Sequence, residues 1–71
     1  MMSRRDQVVS CLASDWQTTH EILDEMTARY GIVCTISKVY SVLDSERKYG
    51  LCQKDIVIKK SSKTAIWRLP E

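Results

Sequence analysis

Apolar residues recur at helical spacing in three stretches of the chain, and a residue that favours helix starts precedes each stretch. Ser3, Thr18 and Thr35 can each accept a hydrogen bond from a backbone N–H in the turn that follows. The spacing predicts helices at about 4–14, 19–30 and 36–49, the second with a capping box between Thr18 and Glu21. The three apolar stripes are Val8, Val9, Leu12 and Trp16; Ile22, Leu23, Met26 and Tyr30; and Ile36, Val39, Tyr40 and Leu43.

The segments between these helices are short. Gly31 and Gly50 are expected to close the second and third helices, because glycine adopts a left-handed backbone without a steric penalty. Trp16-Gln17 is predicted to be an extended link that could pair as a small strand. Ile32-Val33-Cys34 is an apolar connection that we expect to reach the core.

After the third helix the pattern changes to the alternation typical of strands. β-Branched residues flanked by charge predict a strand at about 51–60, and a return strand at about 64–69 ends before Pro70. With Ser61-Ser62 at the tip of this hairpin, Ile58 would face Ala65 and Ile56 would face Trp67. Those four residues would then share one face and cover the helices, whereas Val57 and Ile66 would lie on the other face.

These faces predict one shared core in a single α+β domain that spans residues 1–71. Trp16 is also expected to be buried, and His20 is expected at the surface. The three cysteines are widely spaced without a CxxC pair, so we interpret them as small buried apolar residues and not as metal ligands. The predicted core consists of Leu12, Ile22, Met26, Val39, Leu43, Ile56 and Trp67.

Length and composition narrow the class of protein. At 71 residues the chain is near the lower size limit for a self-sufficient core. No apolar run approaches the length of a membrane span, and the start MMSRRD lacks an apolar signal region. The sequence therefore predicts a cytoplasmic protein without a membrane partner.

Positive charge is concentrated in the second half of the chain. Residues 1–34 carry three basic and five acidic side chains, whereas residues 35–71 carry eight basic and four acidic ones. The net charge of +2 allows binding to nucleic acid and does not require it. The basic surface is expected to belong to the third helix and the hairpin.

Two groups of side chains are candidates for that surface. Serines recur every four residues on the polar face of the third helix. This narrow face could approach a nucleic-acid groove or another protein closely, or it could be only a solvated helix face. Exposed lysines at a hairpin turn can bind a phosphate backbone. Alternatively, their sole role can be to prevent edge-to-edge aggregation. The helix group is Ser37, Lys38, Ser41, Ser45 and Lys48, and the hairpin group is Lys59, Lys60 and Lys63.

The third helix carries a resemblance to a known family. The stretch Lys38-Val39-Tyr40-Ser41-Val42-Leu43-Asp44, followed by Gly50-Leu51, resembles the recognition helix of winged-helix transcription regulators such as the ferric uptake regulators. Those regulators usually carry an Arg that contacts DNA where this chain has Ser41. Nothing in the chain resembles their metal-sensing domain. The resemblance implies a winged helix-turn-helix domain, with three helices followed by a two-stranded β-hairpin wing.

The function implied by this resemblance is sequence-dependent binding of double-stranded DNA by a small transcription regulator. The third helix would enter the major groove and the wing would contact the phosphate backbone. The polar face lacks Arg, Asn and Gln, so each contact would discriminate bases weakly. A second subunit of a homodimer, DNA shape or a partner protein would then have to add specificity.

Two other functions remain open. One is a winged-helix module that binds protein and no DNA, since a fold does not fix a function. The other is a module for unusual duplexes such as the left-handed form, whose family pairs a lysine-rich third helix with a hairpin Trp. Trp67 fits that family, but the Lys, Asn and Tyr spacing on the third helix is missing. No glycine-rich phosphate loop or nucleophile–base pattern is present, so we expect no enzyme, no cofactor and no small-molecule substrate.

Overall fold

The computed structural model describes residues 3–31 and 34–70, which form three helices and one three-stranded antiparallel sheet. Within these residues, no helix combines the length and apolar character needed to cross a membrane. The apolar connection expected to reach the core includes Ile32 and Val33, which lie outside the described residues. The elements in chain order are α1 (Arg4–Ser10), β1 (Gln17–Thr18), α2 (Thr19–Tyr30), α3 (Ile36–Lys48), β2 (Gln53–Lys59) and β3 (Ser62–Arg68).

The sheet has the strand order β1-β3-β2, so the prediction of a two-stranded hairpin was incomplete. The link predicted at Trp16-Gln17 supplies the third strand, which begins at Gln17. Gln17 pairs with Trp67 and Thr18 pairs with Ile66. The hairpin is thereby tied to the start of α2, because β1 runs directly into that helix.

The helix starts follow the predicted capping chemistry at two of three positions. The Ser3 hydroxyl accepts from the Asp6 N–H at 3.1 Å, and Thr18 and Glu21 form the complete capping box. Thr35 occupies the N-cap position of α3 with an extended backbone, but its side chain makes no capping hydrogen bond. The Thr35 carbonyl instead accepts from the N–H groups of Lys38 and Val39.

The helix ends show two confirmed predictions and one error. Gly31 ends α2 with φ +81°, and its N–H donates to the Thr27 carbonyl. Gly50 has φ +77° after α3, and the N–H groups of Gly50 and Leu51 donate back to Arg47 and Glu46 in a Schellman arrangement. The first helix was predicted to reach residue 14 but ends at Ser10. Its last turn tightens there, because the Cys11 N–H donates to the Val8 carbonyl three residues back.

The hairpin register differs from the prediction by two residues. The turn is Lys60-Ser61, both with positive φ (46° and 69°), and Ile56 faces Ala65. A shift of two residues keeps every side chain on its predicted face, because the side-chain period of a strand is also two. The faces were therefore predicted correctly and the cross-strand partners were wrong.

The core contains six of the seven predicted residues. Ile56 is the exception, since it is 50% exposed on the edge strand β2. Trp16 was also predicted to be buried and is 38% exposed, because α1 ends before reaching it; its ring packs under the Arg68 guanidinium at 4.5 Å. The buried apolar residues are Val8, Cys11, Leu12, Ile22, Met26, Val39, Leu43, Cys52 and Trp67.

Two of the three cysteines behave as predicted. Cys11 and Cys52 are buried free thiols in the core, and Cys34 is a half-buried free thiol packed against it. Burial raises the pKa of the Cys11 and Cys52 thiols, because loss of hydration disfavours the thiolate. Both side chains therefore act as small apolar residues, and the Cys52 thiol donates to the Leu43 carbonyl.

Candidate nucleic-acid interface

The serine face predicted on α3 is exposed along its whole length. Ser37, Ser41 and Ser45 all lie at the surface, together with Lys38 and Lys48. The Ser41 hydroxyl donates to the Ser37 carbonyl at 3.0 Å, as helical serines often do. Its oxygen can still accept a hydrogen bond from outside. The face is therefore polar, narrow and open to a partner.

A cleft of about 530 Å³ lies between this face, the first turn of α2 and strand β3. It brings Ser37 and Ser41 of the helix group together with Lys63 of the hairpin group. The other five predicted residues lie outside it: Lys38, Ser45, Lys48, Lys59 and Lys60. The lining residues are Thr19, His20, Ile36, Ser37, Tyr40, Ser41, Lys63, Thr64 and Ala65.

An aromatic and cationic cluster adjoins this cleft through Tyr40 and Thr19, which line it. The Tyr40 and Trp67 rings meet edge to face with centroids 5.4 Å apart, and the indole N–H of Trp67 donates to the buried Thr19 hydroxyl at 2.9 Å. The Lys54 ammonium donates to the Tyr40 hydroxyl at 2.7 Å and lies 5.4 Å from the Trp67 ring centroid. These contacts hold α3, the hairpin and the start of α2 in one relative position.

A second, smaller cleft of about 220 Å³ lies on the other side of the serine face. Arg5 of α1 lines it next to Ser41 and Ser45. The Arg5 guanidinium is paired with the Glu46 carboxylate, whose side chain is only 2% exposed although it belongs to α3. An arginine is therefore present beside the serine face, supplied by a different helix.

The cations of the two groups differ in how they are paired. Among the described residues, Lys38, Lys59, Lys60 and Lys63 take part in no ion pair, whereas Lys48 lies 3.8 Å from the Asp44 carboxylate. Asp44 also accepts from Arg47, and this hydrogen bond lowers the pKa of the Asp44 carboxyl. Lys48 is consequently the least available of the five predicted lysines.

Sequence reasoning missed the residues that complete the two clefts. His20 was correctly placed at the surface but not at the mouth of a cleft, and Tyr40 was assigned to the apolar stripe. No periodicity connects Arg5 with α3, because that pairing depends on how α1 packs. The only available signal was at Glu46, which falls three residues after Leu43 on the apolar side of α3.

No family model matches the chain, and no curated protein is detectably similar to it. Within residues 3–31 and 34–70, no three side chains of the His, Cys, Asp or Glu type are grouped so as to hold a metal ion. The candidate interface is therefore defined by its own geometry: a polar helix face, a cleft and unpaired lysines.

Proposed function

We propose that this protein binds double-stranded DNA as a winged-helix domain and acts as a small transcription regulator. The observation that carries the proposal is the cleft that joins the serine face of α3 to Lys63 of the hairpin. With α3 in the major groove, the cleft would receive the phosphate backbone at the groove edge. The hairpin would act as the wing on the far side of that backbone.

The dimensions of α3 support this placement. Its 13 residues correspond to a length of roughly 20 Å. A helix is roughly 10–12 Å across with its side chains, and the major groove is about 12 Å wide. Serines at the centre of the face keep the helix narrow, so backbone and base edges can approach closely.

The order of elements also supports the winged-helix assignment. A three-helix unit is followed by a hairpin, and the short strand β1 before α2 joins the sheet beside β3. This connection ties the hairpin to the start of α2, and the contact of Tyr40 with Trp67 brings it to α3. A wing would have to lie beside α3 to contact the same duplex.

Charge supports contacts to the backbone more than readout of bases. Lys38, Lys59, Lys60 and Lys63 are exposed, and none is paired within residues 3–31 and 34–70. Each phosphate that a lysine neutralises releases a condensed counterion, which favours binding and makes it dependent on salt. We therefore propose modest sequence preference, with affinity derived mainly from phosphates.

Ser41→Glu tests the proposal directly. A carboxylate at the centre of the face should repel DNA and abolish duplex binding in a gel-shift or anisotropy assay, with folding intact by circular dichroism. Ser14→Glu is the matched control, because Ser14 is exposed in the link between α1 and β1 and lines neither cleft. Its affinity should remain within a few fold of wild type.

The competing function is a protein-binding module. Two exposed apolar side chains, Tyr49 and Leu51, follow α3 directly and favour this alternative. Unchanged DNA affinity in a folded Ser41→Glu protein would refute the DNA proposal and leave the protein-binding module as the better assignment.

A further inference from the structure

Strand β2 forms one edge of the sheet, and its outer side pairs with no strand among the described residues. The Ile56 N–H donates to the Asp55 carboxylate at 2.8 Å and not to β3. Because the hydrogen bonds of an antiparallel strand alternate in direction, the backbone groups of Lys54, Ile56 and Ile58 point toward the free edge. This edge is a template for a further strand.

Two side chains along this edge are apolar although they are exposed to solvent. Ile56 is 50% exposed and Ile58 is 68% exposed, and both lie on the same face of β2. Asp55, Val57 and Lys59 alternate with them on the opposite face. The strand therefore offers an apolar face and a charged face, both on an unpaired edge.

We propose that this edge binds a second copy of the chain by antiparallel β2–β2 pairing, with the two-fold axis at Val57. In that register Ile56 faces Ile58 of the second copy, and Asp55 faces Lys59 of the second copy. Each of these pairs occurs twice, because the interface is two-fold symmetric. Apolar and opposite-charge pairs are the ones that stabilise a sheet.

Neighbouring registers lack this complementarity. With the axis at Ile56, Asp55 would face Val57, and Lys54 would face Ile58. With the axis at Asp55, two carboxylates would face each other. The like-charged pair of the proposed register, Lys54 and Lys60, is weakened because the Lys54 ammonium is directed to Tyr40 and Trp67.

Pairing also changes the role of Asp55. In the single chain its carboxylate covers the edge N–H of Ile56. In the dimer that N–H would donate to the Ile58 carbonyl of the second copy, and the Asp55 carboxylate would be free to pair with Lys59. The dimer needs no DNA, so its test is independent of the proposed function.

Charge reversal can test the register in DNA-free protein by sedimentation over a concentration series. Asp55→Lys and Lys59→Asp should each weaken dimerisation by about tenfold, because each places like charges opposite one another twice. An equimolar mixture of the two variants should form a heterodimer, since both pairs are then of opposite charge. Residues 55 and 59 lie roughly 13 Å apart along one strand, so they cannot compensate within a chain.

Amide hydrogen exchange of the wild type provides a test that needs no variant. Exchange at Ile56 and Ile58 should slow as protein concentration rises, because their N–H groups become paired. Concentration-independent exchange at both residues would overturn the proposal. A wild type that stays monomeric would also overturn it and would leave the edge for a strand of another protein. A mixture of the two folded variants that associates no better than either variant alone would overturn it as well.

Discussion

The two ends of the hairpin lie in different environments although they belong to the same strands. At the base, Trp67 is buried against Thr19 and Tyr40. Toward the tip, Ile58 is exposed and the side chains become lysine and serine. The base is held by tertiary packing, whereas the tip depends on its turn and on cross-strand pairs.

This difference teaches that an apolar residue in a strand need not be a core residue. The helices cover the base of the hairpin and leave the residues next to its turn exposed. The exposed tip carries Lys59 and Lys60, whereas Lys63 lines the cleft beside α3. A hairpin that serves stability at one end is available for binding at the other.

The largest expected effect is on the free energy of unfolding. It compares the same substitution, Ile to Ala, in the core and at the hairpin tip. Ile22→Ala should lower the free energy of unfolding by about 2–5 kcal/mol, because it leaves a cavity in the core. Ile58→Ala should cost less than about 1 kcal/mol, because its side chain is already in water. Thermal or urea unfolding measures both. Equal losses would mean that the tip is packed after all.

An intermediate effect is expected at the ion pair between α1 and α3. Arg5→Ala should cost about 1–3 kcal/mol, because it leaves the buried Glu46 carboxylate without its partner. Arg4→Ala is the matched control, since Arg4 is an exposed neighbour, and it should change stability by less than about 0.5 kcal/mol. In a Glu46→Leu variant, Arg5→Ala should no longer change the free energy of unfolding. A persistent cost there would assign the loss to something other than the pair.

The smallest effect on stability is expected for the lysines at the hairpin tip. Their loss should instead reduce the salt dependence of DNA binding. Lys60→Ala with Lys63→Ala should leave unfolding within about 0.5 kcal/mol of wild type. The slope of log affinity against log salt should become shallower by roughly 2, for every duplex sequence alike. On α3, Lys38→Ala should reduce the slope more than Lys48→Ala, because Lys48 is already paired with Asp44. Unchanged slopes in the double variant would remove the wing from the interface.

The sequence predicted features that depend on neighbours along the chain. The capping box at Thr18, the closure at Gly50 and the bounds of α2 all follow from local backbone chemistry. The end of α1 could not be predicted from periodicity, because Leu12 is buried whether or not the helix continues to it. The hairpin register was missed because neither residue of the turn is Gly or Asn, which usually mark a type I′ turn.

The residues of the candidate site could be selected from the sequence, but their arrangement in space could not. The serine face and the hairpin lysines are visible in the sequence, since helical and strand periods place them on surfaces. Which of them share a cleft depends on the distance between α3 and β3, which Tyr40 and Trp67 set. The burial of Glu46 likewise depends on the packing of α1, which no local pattern encodes.

The turn at the tip of the hairpin carries a conformational cost. Lys60 and Ser61 both adopt the left-handed conformation, which costs a residue with a side chain roughly 1 kcal/mol relative to glycine. Asn-Gly would adopt the same type of turn at a lower conformational cost. The chain instead places a cation and a hydroxyl there. In energetic terms the tip is a place where the sequence departs from the most stable choice.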